Sequence, residues 1–461
     1  MLIRFLGAVG TVTGSCVYIE CNQTRLLIDC GMHQGYGSDE LNRAPFEFRP
    51  SDLDYLLLTH AHIDHSGLVP RLVKEGFKGN ILCTPATSEL LMIMLKDSAH
   101  LQEKDAEWHN KKERRAGGDR VFTPLYYLSD VEAIIPFIRP IQYSVLEHLG
   151  AGLMCKFLDA GHILGSASIE LWYQDRQRQK RVVFSGDIGK HDNPIVRDPK
   201  PPEDADYVII ESTYGNRLHR GKQESLNEFV EVLNETFKRG GNVMIPSFAV
   251  GRTQDLLFIL NILSGNGAIK YPFKTFVDSP LAKEATDIYL KHPECFDDET
   301  LRILRTGRRL FGNVYFTSSV EDSQAINKIQ SGAVIIAGSG MCEGGRIGHH
   351  FKHNLWRKEC SLIFVGYQAS GTLGRRIIDG AKIVKILGED IAVKASVHTI
   401  GGFSAHADRQ GLLDWLRAIK NRPKVFVNHG EQDISRAFCD TITDELSLEA
   451  LCPQRYKVFS L

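Results

Sequence analysis

Residues 56–72, LLLTHAHIDHSGLVPRL, place four metal-capable side chains within six positions: His60, His62, Asp64 and His65. Imidazole nitrogens and carboxylate oxygens are donors that zinc accepts, and a hydrolytic zinc keeps one position open for water. Alternate residues of an extended segment share a face, so His60 and His62 can address one ion. Asp64 and His65 follow a turn and can address a second. Two ions about 3.5–4 Å apart need a shared carboxylate and further donors from elsewhere in the chain. Three imidazoles and a carboxylate buried side by side are costly without a metal or a proton to justify them. The cluster therefore reads as a metal site.

Further donors recur in one setting. His162 in DAGHILGSA, Asp187 in VVFSGDIG, His429 in VFVNHGE and Asp29 at the end of RLLID each come just after an apolar run, close to glycine. Polar side chains leaving strand ends into glycine-containing loops are a common layout for α/β active sites. Taken singly, each has an ordinary reading: a lone histidine is more often structural, and a glycine-flanked aspartate forms turns.

The elements that must position these residues follow from pattern. LIRFLG, SCVYIE and RLLIDCG are β-rich runs broken by Gly and Thr, which predicts adjacent strands in a meander. LDYLLLTH is apolar throughout, which predicts a central strand covered on both faces. GLVPRLVKEG predicts a helix and GNILCTP the next strand. The stretch from about Thr87 to Gly150 is expected to be mainly helical, with EWHNKKERRAGG as an exposed helix end and loop. LMCKFLDAGH, SASIELWYQ and KRVVFSGDIG return to strands. A second module begins near DYVIIESTYGNR. There ESLNEFVEVLNETFKRGG predicts a helix stopped by glycine. NVMIPSFAVGRTQDLLFILNIL, TFVDSPLAKEATDIYL and GAVIIAGSGM repeat a strand-then-loop form, which predicts a doubly wound, mostly parallel sheet. The fold class is α/β.

Of 461 residues, 43% are apolar and 24% charged, with a formal net charge of −1. This is an ordinary globular balance without an overall basic coat, so a polyanionic ligand must be met by local patches or by metal. The ten cysteines form no Cys-x-x-Cys pair, unlike a disulfide framework, and are expected to be mostly buried, reduced thiols. MLIRFLGAVG lacks a signal-peptide pattern. No apolar run approaches the roughly 18 residues of a membrane span. A cytoplasmic protein without membrane contact is expected.

The arrangement His60-x-His62-x-Asp64-His65, with Asp29 before it and His162 and Asp187 after it, resembles the full metal set of the metallo-β-lactamase fold. ESTYGNR, GGFSAHAD and VNHGE resemble the added motifs of its β-CASP branch, and the likeness covers essentially the whole chain. That branch includes the endonuclease subunit of the eukaryotic pre-mRNA 3′-end cleavage factor and similar bacterial and archaeal ribonucleases. The resemblance implies an αββα sandwich with an inserted β-CASP domain: residues 1–207 and 393–461 for the sandwich and 208–392 for the insert. It implies two Zn²⁺, one held by His60, His62 and His162 and one by Asp64, His65 and His429, with Asp187 bridging. It implies that Asp29 supports the ligating histidines and that Glu211 pairs with His406. RNA-acting members generally carry histidine where this chain has His429, whereas the DNA-repair branch tends to carry valine, so RNA, single-stranded, is the expected partner. The chain is expected to lack both the C-terminal appendage of the longer bacterial exonucleases and an N-terminal RNA-binding extension. Homodimerisation is compatible with the sequence, though no stretch specifies it.

The implied activity is hydrolysis of RNA phosphodiester bonds to 5′-phosphate and 3′-hydroxyl ends, by internal cutting, with 5′–3′ trimming as a further mode. Asp64 would orient the attacking water. His406 would be the general acid, kept protonated by Glu211, with His398 as the weaker candidate. Backbone contacts are expected at Ser247, Gly251 and Arg252 ahead of a helix, and at Ser339, Gly340 and Arg346 in a glycine-rich turn. The basic runs at Lys111–Arg115, Arg305–Arg309 and Arg375–Arg376 could steer RNA. A second histidine-rich stretch, GHHFKHNLWRK, has His349, His350 and His353 at helical spacing among basic neighbours, without a carboxylate. These three are expected on a helix surface or facing RNA. Two alternatives remain: another hydrolase of the same fold, disfavoured by a full second module that a small substrate does not require, and an inactive RNA-binding scaffold, disfavoured by the complete ligand set.

Overall fold

The apolar runs of the first two hundred residues fold as strands with side chains alternating between two faces. The structure, a computed structural model, describes residues 1–35, 37–176, 178–317, 319–369 and 371–461. The chain divides into two compact units. One comprises Met1–His191, Arg197–Leu218 and His406–Leu461, the other Asp192–Val196 and His219–Ala405.

In the first unit, β1 (Leu2–Phe5), β2 (Val17–Cys21) and β3 (Thr24–Ile28) form the expected antiparallel meander. The sheet continues in parallel through β4 (Tyr55–Leu57), β5 (Asn80–Cys83) and β6 (Ile138–Pro140). In β4, Leu56 and Leu57 point to opposite faces and both are fully buried, as a doubly covered strand requires. The second sheet starts with β7 (Glu147–Gly150), β8 (Leu153–Asp159), β9 (Ala167–Asp175) and β10 (Arg178–Phe184), all antiparallel, and then adds β11 (Tyr207–Ile210) in parallel.

The stretch expected to be mainly helical is so only in part. One helix, Pro85–Arg115, fills its first half. Beyond it the Gly117–Gly118 pair breaks the run, and a short helix, Leu128–Glu132, precedes β6 and β7. Ile138–Pro140 instead pairs in parallel with β5 as the largely exposed edge strand of the sheet, which satisfies backbone groups on one side.

The second unit carries β12 (Val243–Pro246), β13 (Lys274–Asp278), β14 (Val314–Phe316), β15 (Ala333–Ala337), β16 (Ser361–Phe364), β17 (Ile383–Ile386), β18 (Glu389–Ala392) and β19 (Ser396–Thr399). Six of them pair in parallel in the order β14-β13-β15-β12-β16-β19, while β17 and β18 form a separate hairpin. Helix Lys222–Lys238 leads into β12, and helices Arg252–Gly265 and Pro280–Lys291 follow β12 and β13 and connect the parallel strands, the doubly wound pattern read from the sequence. β12 and β15 are buried at every residue, as central parallel strands are.

The chain returns to the first unit with β20 (Lys424–Val427), β21 (Ala450–Leu451) and β22 (Val458–Ser460). β22 closes the first sheet beside β1, and β20 and β21 extend the second beyond β11. Between the sheets, Phe5, Ile19, Ile28 and Leu57 meet Phe157, Ile169, Val182, Phe184, Ile209 and Phe426. The alternate residues Val183, Val208, Ile210, Val425 and Val427 face outward onto Trp415, Leu416, Phe438 and Ile442 of helices Arg409–Arg417 and Gln432–Leu446. This is a sheet-on-sheet core with helices outside it. No helix among the described residues is long and apolar enough to cross a membrane.

Candidate metal centre

Each sequence-selected donor of the first unit leaves the carboxyl end of a strand. Asp29 follows β3, His60 follows β4, His162 follows β8, Asp187 follows β10 and His429 follows β20. His62 precedes a one-turn helix, Ile63–Ser66, which carries Asp64 and His65. That turn separates the pair His60/His62 from the pair Asp64/His65, as the spacing suggested.

The donors converge in two groups joined by one carboxylate. His62 Nδ1 lies 3.0 Å from His60 Nε2 and 3.2 Å from His162 Nε2. Asp187 Oδ2 is 3.5 Å from both of those Nε2 atoms. In the other group His65 Nε2 and His429 Nε2 are 3.1 Å apart. Asp64 Oδ2 stands 3.6 Å from His429 Nε2 and 4.0 Å from His65 Nε2. Asp187 Oδ1 reaches His65 Nε2 at 3.3 Å and His429 Nδ1 at 3.6 Å. His60, His62, His162 and Asp187 form one set able to hold an ion, and Asp64, His65 and His429 another.

The hydrogen bonds behind the cluster decide which nitrogens face it. The Thr59 N–H and hydroxyl donate to Asp29 at 2.8 and 2.9 Å. The Thr59 oxygen, its proton spent, accepts from His60 Nδ1 at 3.0 Å. Asp29 Oδ2 accepts from His65 Nδ1 at 2.7 Å. Both imidazoles thus carry hydrogen on Nδ1 and turn an Nε2 lone pair inward, the usual support for a metal-bound histidine. His62 Nδ1 faces two such nitrogens at 3.0 and 3.2 Å, where a single proton can satisfy one contact and a cation can satisfy both. A tetrahedral zinc with donors at about 2.0–2.1 Å spaces them by about 3.3 Å, which these distances match. Asp187 Oδ1 is buried without a hydrogen-bond partner among the described residues, as a carboxylate awaiting a cation would be. The residues fit zinc.

Electrostatics divide the donors. Burial, then the charge of His65, holds His60 well below the usual imidazole range, and burial also lowers His62 and His162. Neutral imidazole is the ligating form, so these three are ready for a cation. Burial lowers His65 and His429 too, but Asp187 and Asp29 raise His65 well above the usual range and Asp187 and Asp64 raise His429, so there a cation would displace a proton. Burial pushes Asp187 up, but His429, His65 and His60 together hold it well below the usual carboxylate range.

Beside the cluster, His406 Nδ1 lies 3.2 Å from both Glu211 oxygens and 4.0 Å from Asp187 Oδ2. Glu211 follows β11 and also accepts the Ile188 N–H at 2.6 Å. Burial lowers the His406 pKa, but the charge and hydrogen bond of Glu211 outweigh it and, with Asp187 and Asp64, raise it to about 9. Spacing alone did not bring this pair together, as its members are 195 residues apart. Thr59 was missed altogether. Its only sequence signal is that it directly precedes the histidine motif.

The remaining selected residues belong to the second unit. Ser247, Gly251 and Arg252 follow β12, and Ser339, Gly340 and Arg346 follow the neighbouring β15, all at carboxyl ends of the parallel sheet. Ser247 is buried, and its hydroxyl accepts from Thr253 at 3.1 Å. Arg252 pairs with Asp255 at 3.3 Å. Ser339 Oγ is buried without a hydrogen-bond partner among the described residues. Gly340 has the Phe248 ring 2.9 Å from where a Cβ would stand, so a larger residue there would displace that ring. His398 is a half-buried residue of β19 whose pKa burial lowers. The basic runs are exposed at every Lys and Arg.

The second histidine-rich stretch needs correction. It forms helix Ile347–Asn354, with His349 and His353 exposed as expected, but His350 is fully buried. A carboxylate does accompany it in space: His350 Nε2 donates to Asp278 at 2.8 Å, and Asn327 Oδ1 stands 2.8 Å from Nδ1. Asp278, at the end of β13, also receives Ser323 Oγ at 2.5 Å, Arg346 Nη1 at 2.6 Å and the Thr317 hydroxyl.

Comparison with known proteins agrees with this geometry. Residues 9–239 match the metallo-beta-lactamase superfamily, residues 253–377 the Beta-Casp domain, and residues 390–453 the Zn-dependent metallo-hydrolase RNA specificity domain. The chain is 38% identical to Ribonuclease TTHA0252 of Thermus thermophilus, over 94% of each chain. It is 32% identical to transcription termination factor FttA of Methanocaldococcus jannaschii, over 95% of this chain and 68% of that one. The Methanosarcina mazei factor of the same name is 31% identical, over 97% and 69%. A crystal structure of a protein of unknown function from Enterococcus faecalis shares the fold, with a TM-score of 0.56 at 11% identity over 100% of this chain and 99% of that one. The chain belongs to the β-CASP branch of the metallo-β-lactamase superfamily, a family of metal-dependent hydrolases.

Proposed function

We propose that this chain is a two-zinc ribonuclease, cutting RNA internally and trimming from the 5′ end, in RNA processing or decay in the cytoplasm. The observation that carries the reading is the double donor set sharing Asp187, with the His406–Glu211 pair against it. The relative named a ribonuclease, matched along nearly its whole length, supports RNA as the substrate. Single-stranded RNA is favoured because His60, His65 and Asp187 are at most 3% exposed, and an unpaired strand brings a phosphate to such depth more readily than a duplex. Residues 1–207 and 393–461 are assigned to the hydrolase fold and 208–392 to the insert. The division into two compact units supports a sandwich with an insert, but the units part at Leu218 and rejoin at His406, so residues 208–218 fall with the first unit and 393–405 with the second.

His60, His62 and His162 would hold one ion and Asp64, His65 and His429 the other, with one oxygen of Asp187 toward each. When bound, zinc supplies a water of lowered pKa and neutralises phosphate charge. Asp29 and Thr59 accept from Nδ1 of His65 and His60 and so turn Nε2 of each ring inward. Asp64, with 21% of its side chain exposed, orients the attacking water from the rim. His406 gives a proton to the leaving 3′-oxygen. Its Nδ1 is engaged by Glu211, so the transferred proton sits on Nε2, and the raised pKa keeps it there at neutral pH. Loss of the 3′-oxygen leaves a 5′-phosphate and a 3′-hydroxyl. In the second unit, Ser247, Arg252, Ser339, Gly340 and Arg346 are assigned to the RNA backbone, with the buried Ser339 hydroxyl, which has no partner among the described residues, as support.

The test is to map the ends produced from one internally labelled RNA carrying either a 5′-monophosphate or a 5′-triphosphate. Internal cuts on both RNAs, with 5′-phosphate products and faster trimming of the monophosphate, are expected. Intact RNA across varied single-stranded substrates, with zinc bound, would make the chain a scaffold instead.

A further inference from the structure

Cys439 and Cys452 stand apart from the metal chemistry. Their sulfurs are 3.1 Å apart, closer than ordinary sulfur contact, with no bond between them. Cys439 lies in helix Gln432–Leu446 and points into the core formed with Phe438, Ile442 and Val425. Cys452 follows β21 directly and is partly exposed. Two different elements therefore present one shielded and one accessible sulfur to each other. From this geometry we infer that Cys439 and Cys452 form a redox-active dithiol that small peroxides convert reversibly to a disulfide.

The sulfurs need to approach by only about 1 Å to reach disulfide length near 2.05 Å. The environment assigns the roles. Cys452 is partly exposed and has the Arg436 charge near it to favour a thiolate, whereas Cys439 is buried and burial disfavours one. Cys452 is thus the nucleophile. Its thiolate attacks one peroxide oxygen: an S–O bond forms, the O–O bond breaks, and the departing hydroxide takes up a proton. The Cys439 sulfur then attacks the sulfenic sulfur: the S–S bond forms, the S–O bond breaks, and water leaves with the Cys439 proton. Two thiols and one peroxide give one disulfide and two waters. The cysteines lose two electrons and the peroxide gains them.

The link would tie the helix to the edge of the second sheet. β21 pairs with β20, β20 runs into His429, and the helix begins three residues after His429. Oxidation would fasten the segment that carries a metal donor without touching the donor itself.

The test is to treat the full-length zinc-loaded protein with hydrogen peroxide, then with dithiothreitol. Intact mass, peptide maps and the thermal midpoint are followed. The expected result is a loss of two hydrogens, a 439–452 cross-linked peptide, a raised midpoint, and reversal of all three by dithiothreitol. Cys439→Ser should stop at a Cys452 sulfenic acid that a cyclic 1,3-diketone traps, and Cys452→Ser should leave Cys439 unreacted. A cross-link mapping elsewhere, such as Cys16 to Cys30, would overturn the inference. So would peroxide adding oxygen to Cys452 in the wild-type chain with no cross-link. Both readings come from the unmodified protein, so a variant that fails to fold does not blunt them.

Discussion

Two regions of this molecule bury histidine against aspartate, and they differ in where the protons are. Around Asp187 the inward atoms of five imidazoles and two carboxylates face one another, and Asp187 Oδ1 has no hydrogen-bond partner among the described residues. Around Asp278 every carboxylate lone pair is answered: Arg346 and Thr317 donate to one oxygen, Ser323 and His350 to the other. Burial pushes Asp278 up, yet these donors hold it well below the usual carboxylate range. The first arrangement needs cations to be tolerable. The second is already neutralised and needs nothing. What separates a metal site from a structural hub is therefore unmatched acceptors converging on one point, rather than residue type.

The contrast can be broken or sharpened by substitution. Asp187→Ala should have the largest effect, removing the shared carboxylate. Zinc per chain should fall, and RNA cleavage should drop by more than the roughly 10⁴-fold upper range of a lost general acid. His406→Ala should lose about 10²–10⁴-fold in cleavage rate while zinc content stays at the wild-type value. If His406→Ala cleaves normally, another group is the acid. Asp278→Ala should do the reverse of Asp187→Ala: zinc content is unchanged and chemical denaturation shows a loss of about 3–5 kcal/mol, the penalty for orphaning buried partners. Zinc lost from Asp278→Ala would collapse the distinction. Asp29→Ala removes only the support of His65, so zinc affinity in a competition titration should weaken about 10–100-fold. His353→Ala, on the exposed face of its helix, should change stability by no more than about 0.5 kcal/mol.

The sequence carries these two regions unequally. His60 to His65 is local, and its donors at 162, 187 and 429 share one signal, a polar residue just beyond an apolar strand. The same signal occurs in TFVDSP, where it leads to the hub, so a strand-end aspartate alone does not distinguish cation from hydrogen-bond partner. The histidines at 349, 350 and 353 looked alike by spacing. The helix itself separates them, because His350 shares a face with Ile347, Phe351 and Asn354, the buried positions. The pairing of Glu211 with His406 came from resemblance and not from pattern, since only the tertiary fold brings strand β11 next to the segment after Ala405. Residues beyond Arg115 were misjudged because sheet pairing with β5 outweighed local helical preference.

On the function proposed above, the Asp187 cluster binds two zinc ions and RNA cleavage depends on them. The most direct test is to measure zinc per chain by mass spectrometry while following cleavage of labelled RNA through chelation and stepwise return of zinc. The account predicts two equivalents in the active protein, loss of both metal and cleavage with chelator, and recovery as the second equivalent returns. Full cleavage by the metal-free chain, or two bound zincs with no cleavage, would contradict it.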